Sequence, residues 1–135
     1  MKLPRRQFLH LAAGAAALPA LSRIAGAQTY PMRPVRLIVS FPAGSSSDII
    51  ARLMGQWLSE RLGQPIIVEN RPGAAGNIGT EIGVRAPPDG YTLLMALSVN
   101  AINAAVYDNL SFNFIRDMAP VASIASIPLV MEVNP

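Results

Sequence analysis

The chain has 135 residues, 11 of them basic and 8 acidic, with no cysteine and a single histidine. That histidine, His10, and the only lysine, Lys2, both fall before residue 28. The remainder therefore cannot build a Ser–His or Cys–His nucleophilic pair, a Lys Schiff base, a P-loop lysine, a His or Cys zinc site, or a disulfide. The formal charge of +3 is also a property of the start: without Lys2, Arg5, Arg6 and Arg23, seven basic residues face eight acidic ones, and nothing points to nucleic acid.

Residues 1–27 read as a targeting segment. Arg5-Arg6-Gln7-Phe8-Leu9 resembles a twin-arginine export signal, an apolar run follows from Leu9 to Leu21, and Ala25-Gly26-Ala27 fits the small-x-small cleavage rule. The run is shorter than the ~20 residues of a membrane span. A signal peptide over 1–27 and a mature start at Gln28 are expected; an uncleaved amphipathic or anchoring segment is the alternative.

Gln28 to Pro34 is a polar lead-in. Val35 to Ser40 is β-branched and apolar, as in a strand buried on both faces. Phe41 to Asp48, with one Pro, one Gly, three Ser and an Asp, is a turn-forming loop. Ile49 to Leu62 is a predicted helix. Ile49, Ile50, Leu53, Met54, Trp57, Leu58 and Leu62 form a stripe with helical period, read as the core face and making Trp57 a core residue. Asp48 or Ser47 is the candidate N-cap and Gly63 the C-terminal glycine. Pro65 to Glu69 is the second strand, completing a βαβ unit for which a parallel connection is expected.

Asn70 to Asn77 is rich in turn residues. A short helix is predicted from about Asn77 to Arg85, with Gly79 and Gly83 letting its backbone approach the sheet. The glycines do not match G-x-G-x-x-G and no G-K-[ST] follows, so the stretch reads as a structural turn and not a nucleotide loop. Arg71 reads as structural, with Glu69 a candidate partner. Tyr91 to Ala96 is the third strand, and Ala101 to Tyr107 a short helix with Asn100 as candidate cap. Pro120 to Ala125 and Ile127 to Val133 are further strand candidates. The chain stops directly after that apolar run, which predicts an incomplete fold.

In a doubly wound sheet the first strand is commonly flanked by the second and third, and ligands sit beyond the carboxyl ends of strands one and three. That places Phe41 to Asp48 beside Ser98 to Asn103. Neither segment contributes Lys or Arg. The expected site grips a small carboxylate with hydroxyls, amides and helix N-termini in place of an ion pair.

Three runs carry a resemblance: Phe41-Pro42-Ala43-Gly44-(x)3-Asp48, Val68-Glu69-Asn70-Arg71-Pro72-Gly73-Ala74-Ala75-Gly76-Asn77-Ile78-Gly79, and Pro88-Asp89-Gly90-Tyr91-Thr92-Leu93-Leu94. With Asp117-Met118-Ala119-Pro120-Val121, they closely resemble the tripartite tricarboxylate transporter substrate-binding proteins, also called the Bug family. The resemblance covers nearly all of residues 32–135. It implies an α/β fold: part of one lobe of a two-lobed periplasmic binding protein, with a mainly parallel sheet flanked by helices. Residues 28–135 would form an incomplete first lobe. It also implies a periplasmic receptor that passes a small organic acid, a di- or tricarboxylate or similar anion, to membrane transporter subunits. No cofactor, metal or catalytic residue is implied. Carried over, the ligand-binding residues are Phe41, Ala43, Gly44, Ser45, Ser47 and Asp48, then Ser98 and Asn100. Family members usually have glycine where Ser45 stands, and serine would be strained there if the backbone were left-handed. A truncated, non-functional remnant, a small α/β enzyme and a subunit pairing with a separately encoded second part are the alternatives.

Overall fold

The computed structural model describes residues 29–126. Their elements are β1 (Val35–Val39), α1 (Ser46–Leu62), β2 (Ile66–Asn70), a 3-10 turn (Ala74–Gly76), α2 (Asn77–Val84), β3 (Thr92–Met95) and α3 (Ser98–Val106). The strands form one sheet in the order β2-β1-β3. Both pairings are parallel, with Val35 opposite Ile66, Val39 opposite Asn70, and Val39 also opposite Met95. This is the expected parallel α/β arrangement, with the first strand central.

Burial explains why β1 carries the apolar run. Val35, Ile38 and Val39 are almost fully buried, as a central strand covered on both faces requires. Side chains alternate along a strand. Leu37 and Val39 join Ala51 of α1 and Met95 in the core cluster, whereas Ser40 lies against Gly79 of α2. The two helices therefore cover opposite faces.

The approach of α1 differs from the expected one. Its buried residues are Ser47, Asp48, Ala51 and Gly55, and Ser47, Ala51 and Gly55 form a small-residue row spaced by four. A Cβ at Gly55 would meet the Cγ2 atoms of Ile66 and Val68 at 3.5 Å, so the helix lies directly on β2. Farther along the same row, Ser59 Oγ donates to Gly55 O at 2.6 Å and accepts from Ile66 N–H at 2.9 Å. Only part of the stripe expected to face the core does so: Ile50 packs against the core cluster and Met54 and Leu58 are half-buried, whereas Ile49 is 60% exposed, Leu53 69% and Trp57 47%. Trp57 is thus not a core residue; the Arg61 guanidinium stacks over its ring at 4.2 Å.

The α1 N-cap is Ser45, whose Oγ accepts from Asp48 N–H, so neither Ser47 nor Asp48 caps the helix. The last helix begins at Ser98, placing Asn100 inside its first turn. Residues 120–125 form no strand and are exposed; an apolar run becomes a strand only where a neighbouring edge supplies hydrogen-bond partners. The candidate strand Ile127 to Val133 lies outside the described residues. Gly63 closes α1 as expected, at φ 69° with its N–H donating to Ser59 O at 3.0 Å.

Candidate functional site

The loop after β1 is a tight, internally bonded structure. Gly44 adopts φ 84°, which serves a turn that Ser45 N–H closes onto Pro42 O at 3.2 Å. Ser45 itself has φ −68°, so a serine there is unstrained. Its Oγ accepts from Asp48 N–H at 3.4 Å and contacts Ser47 Oγ at 3.1 Å. Phe41 and Ser45 are half-buried, Ala43 and Gly44 are exposed, and Ser47 and Asp48 are buried.

Asp48 anchors the loop. Only 3% of it is exposed, and its carboxylate accepts from Gly44 N–H at 2.8 Å, Asn70 Nδ2 at 2.9 Å and Arg52 Nε at 3.0 Å. These donors, Arg52 foremost, then Gly44 and Asn70, hold its pKa down to about 2. The carboxylate is thereby neutralised within the protein by Arg52, a residue outside the loop.

Beyond β3, the Asn100 side chain accepts from Leu97 N–H at 2.7 Å. Leu97 has no side-chain acceptor to return the bond, and α3 has no side-chain N-cap, so its first turn presents N–H groups at Ser98, an exposed residue. Asn100 is buried, with its Nδ2 donating to Thr80 Oγ1 at 2.6 Å, and Thr80 donates to Gly76 O at 2.8 Å. One turn on, Asn103 Nδ2 donates to Ala75 O and to Asn77 Oδ1, both at 2.9 Å.

These amides dock α3 onto the start of α2, and α2 is seated in turn on the tip of β1. A Cβ at Gly76 would meet the Phe41 ring and Ser40 Cβ at 3.4 Å. The loops after β1 and β3 thus follow the carboxyl ends of adjacent parallel strands, with the α2 N-terminus wedged between their supports. Phe41, Ala43, Gly44, Ser45, Ser47 and Asp48 lie at the first tip; Ser98 and Asn100 lie at the second.

Asn70, Arg52, Thr80 and Asn77 support the site without having been expected there, whereas Asn103 falls inside the expected Ser98 to Asn103 segment. Asn70 had a visible signal: a polar residue closing an apolar strand at the expected ligand-side rim. Arg71 pairs with Glu69 at 3.0 Å, as expected. Arg36 also binds Glu69 bidentately, at 2.7 and 3.0 Å. Arg36 first and Arg71 second lower the Glu69 pKa to about 2.

A parallel sheet ordered β2-β1-β3, with loops leaving the tips of the adjacent strands β1 and β3, defines an α/β protein of the open-sheet class. The chain belongs to the tripartite tricarboxylate transporter family receptors, which it matches over residues 50–135. It is 40% identical over 111 residues to protein BugT of Bordetella pertussis, an alignment covering 81% of this chain and 34% of BugT. A UPF0065 protein of Bordetella bronchiseptica is 43% identical over 111 residues, covering 82% of this chain and 33% of that protein. The chain therefore spans about a third of the length of these relatives. Among solved structures, MatC from Rhodopseudomonas palustris with bound malate superposes with a TM-score of 0.60 at 33% identity, over 65% of this chain and 30% of MatC. A periplasmic transporter superposes with a TM-score of 0.57 at 44% identity, over 64% of this chain and 30% of that one.

Proposed function

We propose that this chain is part of a periplasmic receptor, not an enzyme, that captures a small organic di- or tricarboxylate for a tripartite tricarboxylate-type membrane transporter. Residues 1–27 serve as its twin-arginine export signal, and residues 28–135 form part of the first lobe. The observation that carries the reading is the uncapped first turn of α3 on the rim shared with the 41–48 loop. An incoming carboxylate completes hydrogen bonds that no side chain makes there. Ser45 and Ser98 add hydroxyls, buried Ser47 orients the Ser45 hydroxyl, the backbone of Phe41, Ala43 and Gly44 shapes the loop, Asp48 braces it and Asn100 sets the α3 entry. Malate, named for MatC, is the first candidate ligand.

Calorimetric titration of the full chain with malate and a panel of di- and tricarboxylates tests the reading, with Ser98→Pro as the informative variant. Proline is tolerated at the first helical position, so the helix survives while one N–H and one hydroxyl are removed. Saturable carboxylate binding, weakened in Ser98→Pro at an unchanged thermal midpoint, is expected. Absence of binding to every acid, or equal binding by the variant, refutes it. Intact-mass analysis of exported protein should find Gln28 at the N-terminus; retention of residues 1–27 refutes the signal assignment.

A further inference from the structure

The β1–α1 loop is tied to the neighbouring strand by the side chain of Asn70. Asn70, at the end of β2, donates through Nδ2 to Phe41 C=O at 3.0 Å and to Asp48 Oδ1 at 2.9 Å. Its Oδ1 accepts from Arg52 Nη2 at 3.0 Å. Asp48 in turn accepts from Gly44 N–H at 2.8 Å. The loop's entry at Phe41 and its apex at Gly44 thus hang on one amide and the carboxylate it touches. The attachment point is itself fixed in the sheet: Asn70 stands opposite Val39 in the parallel register, and the next N–H, of Arg71, donates to Val39 O at 2.8 Å.

Resting on the reading of this loop as a carboxylate site, we propose that Asn70 is a positioning residue for ligand binding, shaping the loop without touching the ligand. The chemistry requires a neutral amide. A carboxylate at this position could not donate to Phe41 C=O and would face the Asp48 carboxylate, while an alanine would leave the Phe41 carbonyl without its side-chain donor. Arg52 completes the cluster but, among the described residues, bonds to the Asp48 and Asn70 side chains alone, so it reaches the loop backbone through them.

The test compares Asn70→Ala and Arg52→Ala in the full chain by residue-resolved amide hydrogen exchange, thermal unfolding and calorimetric titration with malate. In Asn70→Ala, exchange at Gly44 should rise and malate affinity should fall, each by about tenfold, the effect of losing one such bond. Leu37 and Val39 in β1 should keep their protection. Arg52→Ala should change Gly44 exchange less than Asn70→Ala does. Unchanged Gly44 exchange in Asn70→Ala, a uniform rise that includes β1, or unchanged malate affinity overturns the proposal. If the unaltered chain binds no carboxylate, the receptor reading fails by itself; a Gly44-specific rise in exchange then still supports the anchoring role, and its absence overturns it.

Discussion

Replacing Gly79 by alanine should be among the most damaging small changes to this fold. The added methyl would lie 2.7 Å from Ser40 Oγ, 2.8 Å from Arg71 O and 2.8 Å from Ser40 Cα. Two of these three atoms belong to the backbone at the tips of β1 and β2, so they cannot yield by rotating a side chain. Overpacking of this kind costs ~1–3 kcal/mol, and the upper end applies where backbone must move. Alanine recovers about 1 kcal/mol of helix propensity over glycine. The net loss is about 2 kcal/mol, a fall in midpoint of roughly 8–16 °C for a domain of this size.

Gly83→Ala, one turn further along α2, is the control. Its methyl would meet Leu94 Cβ at 3.2 Å and the two Leu94 Cδ atoms at 3.5 Å. The contact is with a side chain that can give slightly, and the propensity gain offsets it. Thermal and urea unfolding of both variants decides the matter. If Gly79→Ala is as stable as the parent, or no worse than Gly83→Ala, the seating of α2 on the strand tips described here is wrong. Because Thr80 and Asn77 of α2 hold Asn100 and Asn103, Gly79→Ala should also loosen α3.

Ser40 Oγ is a buried side-chain oxygen without a hydrogen-bond partner, so Ser40→Ala should be neutral or slightly stabilising in urea unfolding; a clear loss would reveal a bond. In the double variant with Gly79→Ala, it should restore part of the stability, since one of the three close contacts disappears. Ser45→Ala removes the α1 cap and should cost ~1 kcal/mol, Ser45→Gly only a few tenths; equal stability of all three by thermal unfolding would discard the cap. Acid should destabilise the fold through Glu69 and Asp48, whose carboxyls are lowered from 4.5 and 3.8 respectively to about 2. A depressed folded-state pKa means stability present above the ordinary value and lost as pH falls from there toward about 2. Glu69→Gln should flatten that acid limb in pH-dependent unfolding, and an unaltered slope would contradict the Arg36–Glu69–Arg71 cluster.

Much of the architecture was readable along the chain because it depends on local chemistry. A β-branched run has few structures open to it other than a buried strand, a glycine after an apolar helix accepts the left-handed C-terminal turn, and a single helix between two such strands implies a parallel crossover. These inferences placed β1, β2, β3 and Gly63. They also placed Ser98 on the same rim as the 41–48 loop, since adjacent parallel strands end on one side.

The orientation of α1 and the supports of the site depended on the tertiary structure. Ile49 to Leu62 contains two stripes at helical spacing, one of large apolar residues and one continuing Ser47 through Ala51, Gly55 and Ser59. Hydrophobicity favours the first, but close packing on Ile66 and Val68 seats the second on the sheet, leaving Ile50 of the first stripe against the core and Ile49, Leu53 and Trp57 exposed. Besides their local bonds, Asn70, Thr80, Asn100 and Asn103 have partners 18 to 29 residues away in the chain. An amide side chain offers both donors and acceptors, so its identity does not name its partner. Residue type set what each position was able to do; strand register and helix seating decided which atoms met.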